Sequence, residues 1–409
     1  MVSSSAGSVL RTLASGFRPL ATVLCIASLL ALAGCATAPT EYHAPALTAA
    51  ERPAHNLAVF DRAWSLVNDH YFDPKFRGVG WGAMPAKYRT GAAAAADEDA
   101  LYRVLNQMNA ELKESHLSAF PPRRVHERTT EHQAAVGLRW QLLGGKRVVV
   151  DVVPGSPAAA AGVRLGWVAT ARNGAPIRDG DIYLPHVGQP VTYAFLDEHD
   201  GPRTLTLEPV LLNFVRRESH ALPGGALYLR FDEFDRESLS WLSDHLKTRP
   251  PSVVIDLRSN PGGNALALSV AVAEFFEKRV PEGRLIQRSG AAREEHSLSW
   301  LSARYPGWVV LLTGRTTGSA AEIFSHVLQY HGRAKVVGQP TAGAVIYSRV
   351  WSLPGGGQIQ VPIIDYLGLD GQRLEGRGVT PNVVPPAVTL TDLRAGRDPD
   401  LDAALKLLP

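Results

Sequence analysis

The sequence predicts a multidomain α/β protein, and three patterns along the chain support this fold class. Apolar residues recur at helical spacing from about residue 52 to 130, and short alternating strand patterns dominate from about 134 to 212. From about residue 222 onward, strand and helix patterns alternate. The chain has 409 residues, which is long for one hydrophobic core, because domains typically contain about 100–200 residues. We therefore expect several packed units.

The N-terminus has the features of a secretory signal. Two arginines precede an apolar run over residues 20–33, which ends in Leu32-Ala33-Gly34-Cys35. This ending resembles the cleavage site of bacterial lipoproteins, which makes residues 1–34 a signal peptide and Cys35 the lipidated first residue. The alternatives are a plain signal peptide and a membrane anchor, although the run is shorter than the about 20 residues of a span. We expect a lipid-anchored protein of the bacterial cell envelope, on the periplasmic face of the outer membrane.

Composition excludes several classes of function. Without residues 1–34, the chain has 40 basic and 39 acidic side chains, so its net charge of +1 gives no indication of nucleic-acid binding. Cys25 lies in the signal and Cys35 would be acylated, which leaves no thiol for catalysis, a disulfide or zinc. The sequence contains no phosphate-binding loop and no paired-histidine metal motif. We therefore expect neither a cofactor nor a metal.

An N-terminal helical domain is predicted over residues 52–130. It follows residues 35–51, whose alanine, threonine and proline content is typical of a flexible tether. Phe60, Trp64 and Val67 lie at helical spacing, and a second amphipathic pattern follows an acidic helix start. Aromatic residues in such a pattern are more typical of a core than of a ligand site.

Residues 134–212 are predicted to form a small β-rich domain. They contain Pro154-Gly155-Ser156-Pro157-Ala158, then a glycine turn and the hairpin signal Asn173-Gly174. This order resembles the PDZ domain, which binds an extended peptide, often a free C-terminus, as an added strand. The resemblance implies that Val136, Gly137 and Leu138 form the peptide-binding loop. The alternative is a degenerate domain that only braces its neighbours.

Residues 222–395 are predicted to form an α/β core, followed by a C-terminal segment over residues 396–409. Within the core, a buried strand pattern at 308–312 leads through a tight turn into Ser319-Ala320-Ala321-Glu322. This arrangement presents a serine hydroxyl at a helix N-terminus, where free N–H groups can stabilise an oxyanion. The same four residues also fit a capping box, in which the serine only satisfies an N–H group. The segment alone leaves both interpretations open.

A second turn could supply further backbone donors. Asn260-Pro261-Gly262-Gly263 follows a buried strand pattern, and its glycines can adopt conformations that aim two N–H groups into one space. Together with the serine turn and residues 332–343, this segment resembles the C-terminal processing (tail-specific) serine peptidases and the related tricorn-type proteases. The resemblance covers nearly the whole mature chain in the family's order. It implies a ClpP/crotonase-like α/β catalytic core.

The resemblance also distinguishes two mechanisms. In the processing peptidases a lysine activates the serine, and its place falls within Gly343-Ala344-Val345, where this chain has no lysine. The tricorn-type branch uses a histidine from the helical unit and a glutamate near the C-terminus, which Ser115-His116 and Glu375 match. The resemblance therefore implies Ser319 as the nucleophile and His116 as the general base, oriented by Glu375 directly or through Ser115.

The predicted function is that of a serine endopeptidase acting on unfolded protein tails, including C-terminal ones, or on peptides. The backbone N–H of Ala320 and that of Gly262 or Gly263 would bind the oxyanion. The resemblance is also compatible with assembly into homo-oligomers. The alternatives are a catalytically silent peptide- or ligand-binding lipoprotein and a structural cell-wall scaffold. A silent protein would not need all three of Ser319, His116 and Glu375.

Overall fold

The computed structural model describes Tyr42, residues 47–178, Tyr183, and residues 185–298 and 304–409. The predicted signal peptide and Cys35 lie outside the described residues. All of the described residues belong to one structural unit. Within them, no helix combines the length and the apolar character that a membrane span requires.

The chain begins with a helical part, as its apolar spacing predicts. Tyr71, Phe72 and Trp81 are buried in its core, and Trp64 packs against that core. The third helix starts where the acidic residues indicate, because the Asp97 carboxylate accepts a hydrogen bond from the Ala100 N–H at 2.7 Å. The helices of this part are α1 (Arg52–His70), α2 (Met84–Ala93), α3 (Glu98–Asn109) and α4 (Pro122–Thr130). A short strand, β1 (Ser118–Phe120), lies between α3 and α4.

Residues 133–212 form a β-rich part that we call the β module. Its main sheet is antiparallel and has the strand order β3-β4-β5-β7-β8, so β3 lies at one edge. The short strand β6 pairs with β5, and β2 pairs with β9 in a separate two-stranded sheet. The elements are β2 (Gln133–Ala135), β3 (Leu138–Leu143), β4 (Lys146–Val152), α5 (Pro157–Ala160), β5 (Val168–Arg172), β6 (Ala175–Pro176), β7 (Val191–Leu196), β8 (Pro202–Leu207) and β9 (Val210–Leu212). Its core includes Val149, Trp167 and Phe195.

The remaining chain alternates strands and helices. Its elements are β10 (Arg217–Ala221), β11 (Leu227–Phe231), α6 (Arg236–Lys247), β12 (Ser252–Asp256), α7 (Ala265–Ala273), β13 (Pro281–Gln287), β14 (Ala292–His296), β15 (Trp308–Thr313), α8 (Ala320–Tyr330), β16 (Lys335–Gly338), β17 (Tyr347–Ser352), β18 (Gln358–Leu367), α9 (Leu390–Arg394) and α10 (Pro399–Leu405). One sheet has the order β10-β11-β12-β15-β16, and its last four strands are parallel.

Helices cover both faces of this parallel sheet. Side chains of α6, α7 and α8 share one core cluster with residues of the sheet, and α10 contributes Leu401 and Ala404 to the cluster on the other face. Every residue of β12 is consequently buried, which is typical of a central parallel strand. The carboxyl ends of β12 and β15 lead into the glycine turn and the serine turn that the sequence singles out.

A second sheet connects the helical part to the α/β part. Its order is β1-β18-β13-β14, with β17 also paired to β18. Ser118 and Gln360 are register partners in the antiparallel pair of β1 and β18. This pairing fixes the chain directly after His116 against the C-terminal half of the protein.

Candidate active site

Ser319 lies at the N-terminus of α8, as the sequence predicts. It is the N-cap residue and has φ 50° and ψ −119°, a conformation that non-glycine residues rarely adopt. Hydrogen bonds on the preceding turn fix this conformation: the Gly318 N–H donates to the Asn260 carbonyl at 3.0 Å, and the Thr317 hydroxyl donates to the Leu257 carbonyl at 2.8 Å. Strained backbone of this kind occurs preferentially at functional residues.

Glu322 fixes the serine turn from within the helix. Its buried carboxylate accepts from the Ser319 N–H at 3.1 Å, which agrees with the predicted capping box. It also accepts from the Thr341 hydroxyl at 2.5 Å and from the N–H groups of Gly343 and Ala344, both at 2.8 Å. Burial raises the pKa of Glu322, and these hydrogen bonds oppose the rise. The sequence indicates the cap but not these contacts with residues 341–344.

The Ser115 hydroxyl connects His116 to Glu375. Its Oγ lies 2.7 Å from His116 Nδ1 and donates to Glu375 Oε2 at 2.8 Å. The Ser115 N–H donates to the other carboxylate oxygen at 2.7 Å. When the Ser115 hydroxyl donates its proton to Glu375, its oxygen can only accept from His116. In that assignment Nδ1 carries the ring proton and Nε2 is the acceptor. Burial lowers the pKa of His116, and the negative charge of Glu375 opposes that shift.

Ala344 and Val345, which are consecutive in the chain, connect the Ser319 turn to Glu375. The Ser319 N–H donates to the Ala344 carbonyl at 2.9 Å, and the Val345 N–H donates to Glu375 Oε2 at 2.6 Å. The side chain of Ala344 carries no base. The hydrogen bonds of the described residues do not include one between the His116 ring and the Ser319 hydroxyl. Such contacts are often long before substrate binds.

The two glycines of the second turn differ in their hydrogen bonds. Gly262 has φ 115° and packs against Ser319 so closely that an added Cβ would lie 2.6 Å from the serine Cβ. Its N–H donates to Asn260 Oδ1 at 2.9 Å. In the described parts of the chain, the N–H groups of Gly263 and Ala320 donate no hydrogen bond. These two groups are therefore unoccupied donors on the two turns that meet at Ser319.

A buried ion pair holds the segment before His116 in place. Glu114 accepts from the Tyr71 hydroxyl at 2.8 Å and from Arg373 Nη2 at 2.9 Å, and Arg373 also donates to Asp365 at 2.7 Å. Burial raises the pKa of Glu114, and the charge of Glu375 contributes to the rise. The pair therefore joins the two chain segments that carry His116 and Glu375. In the sequence, the only signal for this role is an acidic residue directly before Ser115-His116.

The predicted peptide-binding loop runs from the end of β2 into Leu138, the first residue of β3. Gly137 has φ 87°, and a Cβ at this position would lie 2.1 Å from the Ser156 Cβ. Its carbonyl accepts from the Val153 N–H at 2.9 Å, and the Val136 carbonyl accepts from the Ala158 N–H at 3.0 Å. The loop lines a cavity of about 710 Å³ beside β3. No described contact joins this loop to Ser319.

Two further groups of polar side chains have structural partners. On α8, His326 Nε2 accepts from the Leu369 N–H at 2.9 Å, which ties the ring to the chain after β18. Among the described residues, one group of side chains, Asp197, Glu198 and His199, is spaced closely enough to hold a metal. The Asp197 carboxylate, however, accepts from the N–H groups of His199 and Gly201 and from Arg203. The group therefore closes a turn.

Comparison with known proteins identifies the class. Residues 225–384 match the model "Peptidase family S41", and residues 53–110 match the "Tricorn protease C1 domain". The chain is 25% identical over 372 residues to a carboxyl-terminal-processing protease of Picosynechococcus, covering 85% of this chain and 88% of that protein. It is also 27% identical over 386 residues to a putative tricorn protease homolog of Streptomyces coelicolor, covering 85% of this chain and 32% of that protein.

A solved structure supports the fold. The photosystem II D1 C-terminal processing protease superimposes with a TM-score of 0.56 at 22% identity, covering 86% of this chain and 97% of that one. The fold is thus the mixed α/β multidomain fold of these proteases. The matches together define a serine-type peptidase, which acts on protein or peptide substrates. The similarity over most of the chain is to carboxyl-terminal-processing proteases, and the match to peptidase family S41 covers residues 225–384.

Proposed function

We propose that this peptidase is an endopeptidase of the bacterial cell envelope in which Ser319 attacks the peptide bond. His116 is its general base, and Glu375 orients the base through Ser115. The observation that carries the proposal is the chain of hydrogen bonds from Glu375 through the Ser115 hydroxyl to His116 Nδ1. This chain directs Nε2, the basic nitrogen, away from the carboxylate.

The proposed reaction has two steps. His116 Nε2 takes the hydroxyl proton as Ser319 Oγ bonds to the carbonyl carbon, and it then gives that proton to the departing amine as the peptide bond breaks. In the second step a water molecule loses a proton to the same nitrogen and hydrolyses the acyl-enzyme, and the proton returns to Ser319. The carboxylate of Glu375 stabilises the imidazolium through Ser115.

The electrostatics of the site suit this role. A general base must be neutral before the reaction, and burial lowers the pKa of His116 below its usual value of 6.5. The ring is therefore predominantly neutral at pH 7. A lysine-dependent mechanism would need a base at Ala344, and the methyl side chain of alanine supplies none. The Ala344 N–H instead donates to Glu322 at 2.8 Å and helps to hold the serine turn.

For the oxyanion we propose the N–H groups of Ala320 and Gly263. Of the two glycines that the sequence leaves open, Gly262 has its N–H committed to Asn260, which favours Gly263 as the donor. Gly262 instead permits the close approach of its turn to Ser319. Losing one such donor typically costs about a hundred- to a thousandfold in rate.

Substrate capture and location complete the proposal. We propose that Val136, Gly137 and Leu138 receive the end of a substrate chain, which adds as a strand to the exposed edge of β3, and that a lipid on Cys35 anchors the protein. The resemblance to tricorn-type proteases also favours homo-oligomers, which sedimentation of the purified protein would test. The alternative of a catalytically silent binding protein is not favoured, because residues 225–384 match a peptidase family.

Digestion of a peptide library tests the proposed function. The wild-type chain should cleave internal peptide bonds, and the Ser319→Ala variant should not. Ser240→Ala is the matched control, because this exposed serine lies on α6. Equal cleavage by the wild type and Ser319→Ala would eliminate Ser319 as the nucleophile. Release of single terminal residues alone would contradict endopeptidase action.

A further inference from the structure

The cavity beside the predicted peptide-binding loop carries an excess of positive charge. It has a volume of about 710 Å³ and is lined by residues of α4, of β3 and its neighbours in the sheet, and by Tyr183. Its charged lining residues are five arginines and one carboxylate: Arg123, Arg124, Arg139, Arg147, Arg172 and Glu127. Residues 35–409 as a whole carry a net charge of only +1, so positive charge is concentrated at this cavity. We call this cavity the arginine groove.

Two of these arginines pair with no carboxylate in the described parts of the chain. Arg147 donates to the main-chain oxygen of Arg178 at 3.3 Å, and the Arg172 guanidinium lies 4.4 Å from the centre of the Tyr183 ring. Burial raises the pKa of the Tyr193 phenol to about 12, and the positive charges of Arg172 and Arg147 oppose that rise. Arg147, Arg172 and Tyr193 all line the groove.

The other arginines are neutralised to different extents. Arg139 donates to the Asp232 carboxylate at 2.9 Å and to the Phe214 carbonyl at 2.6 Å. Arg123 and Arg124 share the single carboxylate of Glu127, at 2.5 and 2.9 Å. Counted over the described residues, one positive charge is therefore left over at the α4 side of the groove, in addition to those of Arg147 and Arg172.

The exposed edge of β3 defines how a peptide would lie in the groove. β3 starts at Leu138, the last residue of the loop, and Leu142 is the register partner of Arg147 on β4. A peptide whose C-terminal carboxylate reaches the loop must run antiparallel to β3. Because paired strands match residue for residue, its side chains about four positions upstream would lie beside Leu142. Arg147 lies on β4, the strand beside β3, Arg172 lies on β5, the strand beyond β4, and both side chains line the groove.

We propose that the arginine groove selects substrate tails that are acidic upstream of a free C-terminus, with Arg147 and Arg172 binding the acidic side chains. Guanidinium groups form strong paired hydrogen bonds with carboxylates, and a partly enclosed groove screens such pairs less than open solvent does. The inference rests on the proposed role of Val136, Gly137 and Leu138 as the peptide-binding loop. It adds a charge preference that the loop alone does not provide.

Binding measurements on the full chain test the preference. The Ser319→Ala variant prevents cleavage during the measurement, and fluorescence anisotropy reports the affinity of labelled ten-residue peptides. One peptide carries Asp and Glu at the positions three to five residues before its free C-terminus, a second carries Asn and Gln there, and a third is the acidic peptide with an amidated C-terminus. We expect the acidic peptide with a free C-terminus to bind roughly tenfold more tightly than either of the others. Equal affinities for the acidic peptide and for the peptide with Asn and Gln in place of the acids would overturn the proposal.

Arginine variants of the same chain locate the effect. Arg147→Gln with Arg172→Gln should remove the preference for the acidic peptide and leave the affinity for the neutral peptide unchanged. Arg164→Gln is the matched control, because this arginine is 73% exposed on the same module and pairs with Glu198 outside the groove. Arg147→Glu with Arg172→Glu should favour a peptide with lysines in place of the acids. A preference for acids that persists in the doubly reversed variant would overturn the assignment.

Two controls separate this inference from the proposed function. Labelling of wild-type Ser319 by a fluorophosphonate reports catalysis without any peptide, so a chain that labels but lacks the charge preference refutes only the arginine groove. A chain that prefers acidic peptides but does not label refutes only the catalytic assignment. A short oligonucleotide that competes as well as the acidic peptide would show general anion binding and would also overturn the proposal.

Discussion

The side chains of Ser115 and Glu375 are separated by 260 positions in the sequence and lie 2.8 Å apart, from Oγ to Oε2. The serine follows the helical part of the chain, and the glutamate lies in the segment after β18. Pairing of β1 with β18 and the ion pair between Glu114 and Arg373 hold these segments together. The orientation of His116 therefore depends on contacts between two distant parts of the fold.

Removing the Ser115 hydroxyl should slow catalysis without preventing folding. Ser115→Ala breaks the connection between Glu375 and His116 Nδ1 but leaves both groups in place. We expect kcat to fall by about 10- to 100-fold, which is typical of losing a partner that orients a reactive group. Losing the general base itself typically costs more, about 10²–10⁴-fold. Steady-state kinetics beside His116→Ala measure the difference. Ser115→Thr, which keeps the hydroxyl, should retain most of the activity; a fully active Ser115→Ala would contradict the relay.

The pH dependence of kcat/KM should report the environment of His116. Burial lowers the pKa of this group from 6.5, and the neutral ring is the active form, so activity should rise with pH through a midpoint below 6.5. Glu375→Gln removes a negative charge that raises this pKa. Its acid limb should therefore lie at still lower pH, and kcat should be reduced at every pH. A shift of the limb to higher pH in Glu375→Gln would contradict the electrostatic assignment.

Enlarging Gly262 should damage the site more than it damages the fold. The Ala methyl of Gly262→Ala would lie 2.6 Å from the Ser319 Cβ, and φ 115° is itself unfavourable for alanine. We expect a loss of at least about a hundredfold in kcat/KM, comparable to losing an oxyanion donor. Gly290→Ala is the matched control, since Gly290 also has positive φ but has no neighbour within 4 Å of an added Cβ. Similar activities of the two variants would show that the close approach is unimportant.

Breaking the ion pair before His116 should destabilise the protein. Arg373→Gln leaves the Glu114 carboxylate, whose side chain is 0% exposed, without its main counter-charge. Losing one partner of a buried pair typically costs about 3–5 kcal/mol in the free energy of unfolding. Urea denaturation should show this loss, together with reduced activity near the midpoint. Arg377→Gln removes a more exposed arginine that pairs with Asp370, and it should cost less than about 1 kcal/mol.

The sequence predicts the local features of the site better than its long-range contacts. The strand, turn and capping pattern around Ser319 are local, and the structure contains each of them. His116 and Glu375 follow only from resemblance to a family, because periodicity gives no information on residues that meet across the fold. The contacts of Glu322 with residues 341–344 and of Glu114 with Arg373 depend on side-chain conformations and strand register. The sequence likewise does not show whether Gly262 or Gly263 has a free N–H group. The structure distinguishes them, because the Gly262 N–H donates to the Asn260 side chain.

The rate of fluorophosphonate labelling, followed by mass spectrometry of the intact chain and its peptides, tests the central claim most directly. The account predicts one added group on Ser319 in the wild type, none in Ser319→Ala, and labelling slowed by at least about a hundredfold in His116→Ala. Ser240→Ala should label at the wild-type rate. Labelling of a different serine, or equal labelling rates in the wild type and His116→Ala, would contradict the assignment of Ser319 and His116 as nucleophile and base.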